Sequence, residues 1–190
     1  GSASGRRNRH DFLSGVVSRC QMINGLLGAS LPRDHAYGFI KLGRLVECAD
    51  MTTRIIDVGA GDIMERAGRF GAIDPLLWGA LLQALSAAAA YRREVGPIVE
   101  KDAALNFIFL SSTFPRSIKY FVRETRKELM RLNNHDLAIR AVERLRRRLA
   151  RLDAEHFASG ELHDYIDDFQ QQLTSLDAAI QATWFSWENT

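Results

Sequence analysis

Hydrophobic residues recur along this chain at the three- and four-residue spacing of amphipathic helices, whereas the two-residue alternation of strands never persists. The clearest case is the last predicted helix, over residues 161–187. Its predicted core face consists of Tyr165, Phe169, Leu173, Leu176, Ile180 and Trp184. The pattern therefore predicts an all-α protein.

The ends of the other predicted helices follow from capping residues, glycines and prolines. These helices cover residues 11–27, 34–58, 74–93, 99–110, 115–132 and 136–157, with one extra helical turn at 63–69. Asp34 is predicted as an N-cap, Asp74-Pro75 as a helix start, and Gly59-Ala-Gly61 as a helix end. The prediction is an antiparallel helical bundle of six or seven helices joined by short loops.

Length and composition suit one sizeable core, since the chain has 190 residues of which 46% are hydrophobic. Residues 1–5, Gly-Ser-Ala-Ser-Gly, look like a cloning scar, so residues 6–190 are predicted to form a single helical domain. No apolar run approaches the roughly 18 residues of a membrane span. With no signal peptide either, the expected location is the cytoplasm.

Charge and cysteine content exclude several classes of function. The net charge of +2 gives no strong attraction to nucleic acid, and two distant cysteines, Cys20 and Cys48, form neither a disulfide framework nor a zinc site. Both cysteines are predicted to be buried.

Residues 116–151 hold twelve Lys or Arg, whereas residues 161–190 hold six acids and no Lys or Arg. These segments are predicted to pack side by side through complementary faces.

The second predicted helix carries an unusual row of charged side chains. Gly43, Glu47, Asp50, Arg54 and Asp57 follow at steps of three or four and share one face, with Arg44 one turn before Glu47. The positions on both sides are strongly apolar, which predicts a central helix whose charged face is partly buried. Glycine inside a helix costs about 1 kcal/mol relative to alanine, so Gly43 predicts the close approach of another helix.

Two interpretations of this charged face remain open at the level of sequence. It forms either a buried ion network that fixes helix register or a polar groove that binds a ligand or partner.

Three stretches, in order, resemble the Alpha-E family, an all-helical bacterial family named for a Glu-Arg pair. They are LGRLVECADMTTRIID at 42–57, WGALLQALSAAAAYR at 78–92 and NFIFLSSTFPRS at 106–117. The resemblance spans about Phe12 to Phe121 and is looser beyond. The family's second motif residue is Cys48 here. If the family Arg binds something, that contact is lost or moved to Arg44 or Arg54; if it only packs against Glu47, the change is structural. The family commonly carries two Leu-Gly-Arg helices, and the single copy here implies a C-terminal half.

The resemblance also implies a function. Family members are encoded beside, or fused to, circularly permuted ATP-grasp-like ligases and transglutaminase-like proteins. This implies a non-catalytic accessory of ATP-dependent amide or peptide bond formation that needs no cofactor and contacts a ligase or a peptide-like substrate. The expected binding groove consists of Arg44, Glu47, Asp50, Arg54 and Asp57.

Other chemistry has weaker support in the sequence. The alternative is a metal-dependent helical-bundle enzyme using Glu47 and Asp50, although the ligand count falls short of a di-metal site. Cys48 lacks an evident base that would make it a nucleophile. No phosphate-binding glycine loop is present, and no two histidines are paired at helical spacing.

Two basic features suggest contacts with anions. The arginines between Arg144 and Arg151 lack interleaved aromatics, which disfavours nucleic acid and favours an acidic partner, including the last helix of the same chain. Arg116 and Ser117 follow Pro115 at a predicted helix start, where they hold an anion or simply cap the helix.

Overall fold

A computed structural model describes residues 2–66, 73–152, 157 and 159–186. Within these residues the chain forms eight α-helices and no strand. They are α1 (Ser2–Ser30), α2 (His35–Arg66), α3 (Asp74–Ala84), α4 (Ala88–Glu94), α5 (Lys101–Leu110), α6 (Ile118–Leu129), α7 (Asp136–Leu149) and α8 (Ser159–Trp184). The all-α prediction is confirmed, and none of the described helices is long and apolar enough to cross a membrane.

The helix count exceeds the predicted six or seven because one predicted helix is divided. The segment 74–93 breaks between α3 and α4, where Ser86 adopts a positive φ of 54°. Two backbone bonds close this turn, from Ser86 to the Gln83 carbonyl (2.8 Å) and from Ala87 to the Leu82 carbonyl (2.7 Å). The Trp78 motif is thus helix, turn and helix.

The opposite error occurs at Gly59-Ala-Gly61, which was predicted to end the second helix. Helix α2 continues to Arg66 and includes the turn predicted at 63–69 as far as it is described. Ala60 and Ile63 are buried, so core packing carries the helix across its glycines. The N-cap prediction holds, since the Tyr37 amide donates to Asp34 Oδ1 (3.1 Å).

The chain divides into two compact units, residues 1–37 and 38–190. In the first, α1 exposes Phe12, Met22 and Leu26. Cys20 is exposed and Cys48 half-buried, so the prediction of buried cysteines was wrong. Cys20 lies on exposed α1, and Cys48 follows exposed Glu47 on the flank of α2.

The second unit holds an apolar core whose large buried side chains include Trp78, Tyr91, Phe109 and Phe169. Every residue of the predicted α8 core face is buried or half-buried in it. Helices α7 and α8 are antiparallel, because contacts join their opposite ends. Arg148 pairs with Asp168 (2.8 Å), and Trp184 donates to the Asn133 carbonyl (3.1 Å). This confirms the predicted packing of the basic segment against the acidic one.

Candidate functional site

The charged face of α2 points mostly into solvent. Arg44, Glu47 and Arg54 are exposed, while Asp50 and Asp57 are half-buried. The predicted partial burial therefore holds for the two aspartates but not for the other three charged residues. The apolar positions that suggested it lie on two sides of an amphipathic helix, which buries only the side formed by Leu42, Ala49, Ile56, Ala60 and Ile63.

The charges on this face do not form one network. Arg54 Nε donates to Asp50 Oδ2 at 2.8 Å, one helical turn away. The hydrogen bond from Arg54 to Asp50 and the charge of Asp50, with a smaller effect of Glu47, raise the pKa of the Arg54 guanidinium. Arg44 and Glu47 have no ion-pair partner among the described residues. Two charges of the face are therefore free for an external contact.

At its far end the face is joined to α8 through His163, which no local sequence pattern singles out. His163 Nδ1 lies 2.7 Å from Asp57 Oδ1, and its Nε2 lies 3.7 Å from Asp167 Oδ2. The hydrogen bond and charge of Asp57, followed by the charge of Asp167, raise the pKa of His163. Because 106 positions separate His163 from Asp57, no local spacing could have paired them.

The buried ion network of this molecule lies elsewhere, between α2 and α6. Lys41 Nζ lies 2.6 Å from Glu128 Oε1 and 3.6 Å from Glu124 Oε2. Both glutamates are buried. Partial burial acts to lower the pKa of Lys41, but the hydrogen bond and charge of Glu128, with Glu124, raise it overall. The buried ion network that was one interpretation of the charged face of α2 is thus formed by Lys41 instead.

The predicted close helix approach occurs at a different glycine. A Cβ on Gly43 would meet nothing within 4 Å, whereas a Cβ on Gly59 would lie 2.7 Å from Leu81 Cδ1 of α3. A groove of about 530 Å³ runs beside this contact and borders the charged face at Arg54. Its walls are mainly apolar and include Ile55, Val58, Leu77 and Leu81. Polar and apolar surfaces therefore adjoin on α2.

The side chains of Arg116 and Ser117 are hydrogen-bonded to other groups of the protein. Arg116 Nη1 donates to the Leu85 carbonyl at the end of α3 (2.8 Å). Ser117 Oγ accepts from the Tyr120 amide as the N-cap of α6 (3.1 Å) and donates to the Ser111 carbonyl. These contacts favour the capping interpretation over anion binding.

The metal alternative has no supporting geometry in the part of the chain that the structure describes. No group of three or more His, Cys, Asp or Glu side chains there could hold an ion. Asp50 is engaged by Arg54, and Glu47 is exposed.

Comparison with known protein families gives a match over nearly the whole chain. The model of the Alpha-E family, described as a predicted alpha-helical domain with a conserved ER motif, matches residues 2–185. The match extends past Phe121 through the basic and acidic helices, and it gives no support to the interpretation as a C-terminal half. No curated protein and no solved structure matches the chain.

Proposed function

The chain belongs to the Alpha-E family, and on that premise we propose that it is a non-catalytic helical module that binds an ATP-grasp-type amide or peptide ligase. The docking surface is the exposed face of α2 with the adjoining apolar groove. The type of partner rests on the family resemblance, and the choice of surface rests on the contacts of α2. Since such a ligase consumes ATP, the proposal places the domain in the cytoplasm.

The observation that carries the proposal is that the charged residues of α2 from Arg44 to Arg54, which include the family motif, form no ion pair with another helix among the described residues. Arg44 and Glu47 lack ion-pair partners among the described residues, and Asp50 pairs only within its own helix. A structural ion network would instead join helices, as Lys41 does with Glu128. Exposed single pairs add at most about 1 kcal/mol to stability, so stability does not explain this cluster.

Gly43 supports the same surface. It is exposed inside a 32-residue helix, and no neighbouring group of the described residues lies within 4 Å of the place of its missing Cβ. Such a glycine costs roughly 0.5–1 kcal/mol relative to alanine. A helix of a partner packed on this face would use the close approach that Gly43 permits.

The groove gives the surface an apolar component. Val58 is exposed beside the half-buried Ile55 and Leu77. Interfaces combine a desolvated apolar centre with a polar rim, and here the charged side chains from Arg44 to Arg54 would form that rim. The metal-dependent enzyme using Glu47 and Asp50 has no observation in its favour and is not proposed.

The test is capture of partners from the source cell with this domain as bait. Wild type, Glu47→Gln and Arg54→Ala are compared with Arg92→Ala, which removes an exposed arginine from α4. The expected result is an ATP-grasp-like protein, identified by mass spectrometry, with wild type and Arg92→Ala but not with the two α2 variants. Equal capture by all four would place the interface elsewhere, and no capture would contradict the proposed partner.

A further inference from the structure

A second surface, formed by α7 and α8, combines a basic groove with buried polar atoms that lack hydrogen-bond partners. A groove of about 510 Å³ is lined by Arg144, Arg147, Arg148, Arg151, Tyr165 and Gln172. Volumes of roughly 300–1,000 Å³ are typical of small-molecule sites. The groove uses none of the residues of the α2 face, so its function is independent of the function proposed above.

The positive charge in this groove is largely uncompensated. Arg144, Arg147 and Arg151 have no carboxylate within ion-pair distance in the described part of the chain. Arg148 alone is paired, through Nη2 to Asp168 Oδ2 at 2.8 Å. Within the described part of the chain, these four guanidinium groups therefore have a single carboxylate partner. Clustered like charges repel each other, and an anion between them would relieve that repulsion.

The groove also contains polar atoms that the protein leaves unsatisfied. Four buried side-chain atoms of the described residues have no hydrogen-bond partner, and three of them belong here: Arg148 Nε, Tyr165 Oη and Gln172 Oε1. Buried polar atoms are normally hydrogen-bonded, so a local concentration of exceptions requires an explanation. Together these atoms offer an N–H donor, a hydroxyl and a carbonyl acceptor, which a polar ligand can satisfy.

The Tyr165 side chain is fixed in position by its neighbours. The Arg148 guanidinium lies 4.6 Å from the centre of its ring, and the ring also contacts Phe109 and Phe169. Burial raises the pKa of the Tyr165 hydroxyl to about 12, so it keeps its proton at neutral pH and can donate to an anion.

We propose that this groove binds a small oxyanion, a compound carrying phosphate or carboxylate groups together with an N–H or O–H donor. The arginines bind the anionic groups, the Tyr165 hydroxyl donates to one of their oxygens, and the Gln172 carbonyl accepts from the donor. Arg148 and the neighbouring aromatic residues already cover the Tyr165 ring, so it offers no free face for base stacking. This favours a small ligand over single-stranded nucleic acid.

Isothermal titration calorimetry at low salt tests the proposal with tripolyphosphate, citrate and a short single-stranded RNA as probes. Saturable binding of tripolyphosphate identifies phosphate as the preferred group, and binding of citrate alone identifies carboxylate. The double substitution Arg147→Gln/Arg151→Gln is expected to weaken binding at least tenfold. The matched control Arg92→Gln/Arg93→Gln, which removes the same charge from exposed positions of α4, is expected to leave it unchanged.

A Tyr165→Phe variant separates a ligand contact from general attraction of anions. It keeps the ring and removes only the unpartnered hydroxyl, so we expect a higher melting temperature together with severalfold weaker binding. Unchanged affinity in this variant would contradict the assigned contact. The proposal is overturned if neither small anion binds, if only RNA binds, or if the two double variants lose affinity equally.

Discussion

His163 stands between carboxylates of two helices, and its protonation is therefore coupled to folding. Asp57 of α2 and Asp167 of α8 both favour the imidazolium, and Asp164 adds a smaller effect in the same direction. Since these contacts raise the pKa of His163 in the folded state, their contribution to stability is complete below the unfolded value of about 6.5. It is lost as pH rises through the higher folded pKa.

Removing the Asp57 carboxylate should lower the pKa of His163 toward its ordinary value. We expect NMR titration of the wild type to give His163 a pKa above 6.5. In Asp57→Asn this pKa should fall, because the largest favourable contact is gone, while Glu65→Gln on the same helix should leave it unchanged. A His163 pKa that is the same in wild type and Asp57→Asn would show that the pair does not form in solution.

Lys41 is expected to stabilise the fold because it neutralises two buried glutamates. Its side chain is 32% exposed and that of Glu128 only 3%, so replacing Lys41 leaves a carboxylate buried with Arg131 as its other cation. Breaking fully buried pairs costs 3–5 kcal/mol, and the partial exposure of Lys41 reduces the expected cost of Lys41→Met to about 2 kcal/mol.

Urea unfolding of Lys41→Met, Glu128→Gln and the double variant measures this interaction, with Lys119→Met as a control for an exposed lysine. The double variant should lose less free energy of unfolding than the sum of the single variants, because removing both charges leaves none unpaired. Additive losses would mean that Lys41 and Glu128 do not interact.

In helix α2, tertiary packing decides whether replacing a glycine by alanine stabilises the protein. Gly43→Ala should raise the free energy of unfolding by about 0.5–1 kcal/mol, since alanine is the better helix former and the new methyl meets open space. Gly59→Ala should give a smaller gain or a loss, because its methyl would lie 2.7 Å from Leu81 Cδ1 and that side chain must shift to make room. Chemical denaturation measures both changes, and an equal gain in the two variants would contradict the close packing of α2 on α3.

The same helix shows what local sequence could and could not predict. The α8 core face was predicted correctly because its six apolar residues keep helical spacing without interruption. The predicted end of α2 was wrong because Gly59 and Gly61 look locally like a helix terminator. Burial of Ala60 and Ile63 outweighs the poor helix propensity of the two glycines. The break at Ser86 was missed since serine is not a typical residue for positive φ.

For the whole molecule, the sequence predicted the fold class, the family and the packing of the basic segment against the acidic one, but not the individual ion pairs between α2 and the later helices. Periodicity and the three family stretches depend on neighbours in sequence, so they can be recognised without a structure. The pairing of Lys41 with Glu128, or of Asp57 with His163, depends on how helices distant in sequence meet. The exposure of Arg44, Glu47 and Arg54 on α2 is likewise a product of packing, which local sequence does not show.

Binding of the purified domain to an ATP-grasp-like ligase from the source genome tests the central proposal most directly. Arg44 is exposed and has no ion-pair partner among the described residues. Arg44→Glu should therefore leave the fold intact and weaken binding to the ligase at least tenfold. Arg92→Glu, the same change on α4, should bind like the wild type. Equal affinity of all three proteins for the ligase, or none in the wild type, would contradict docking through α2.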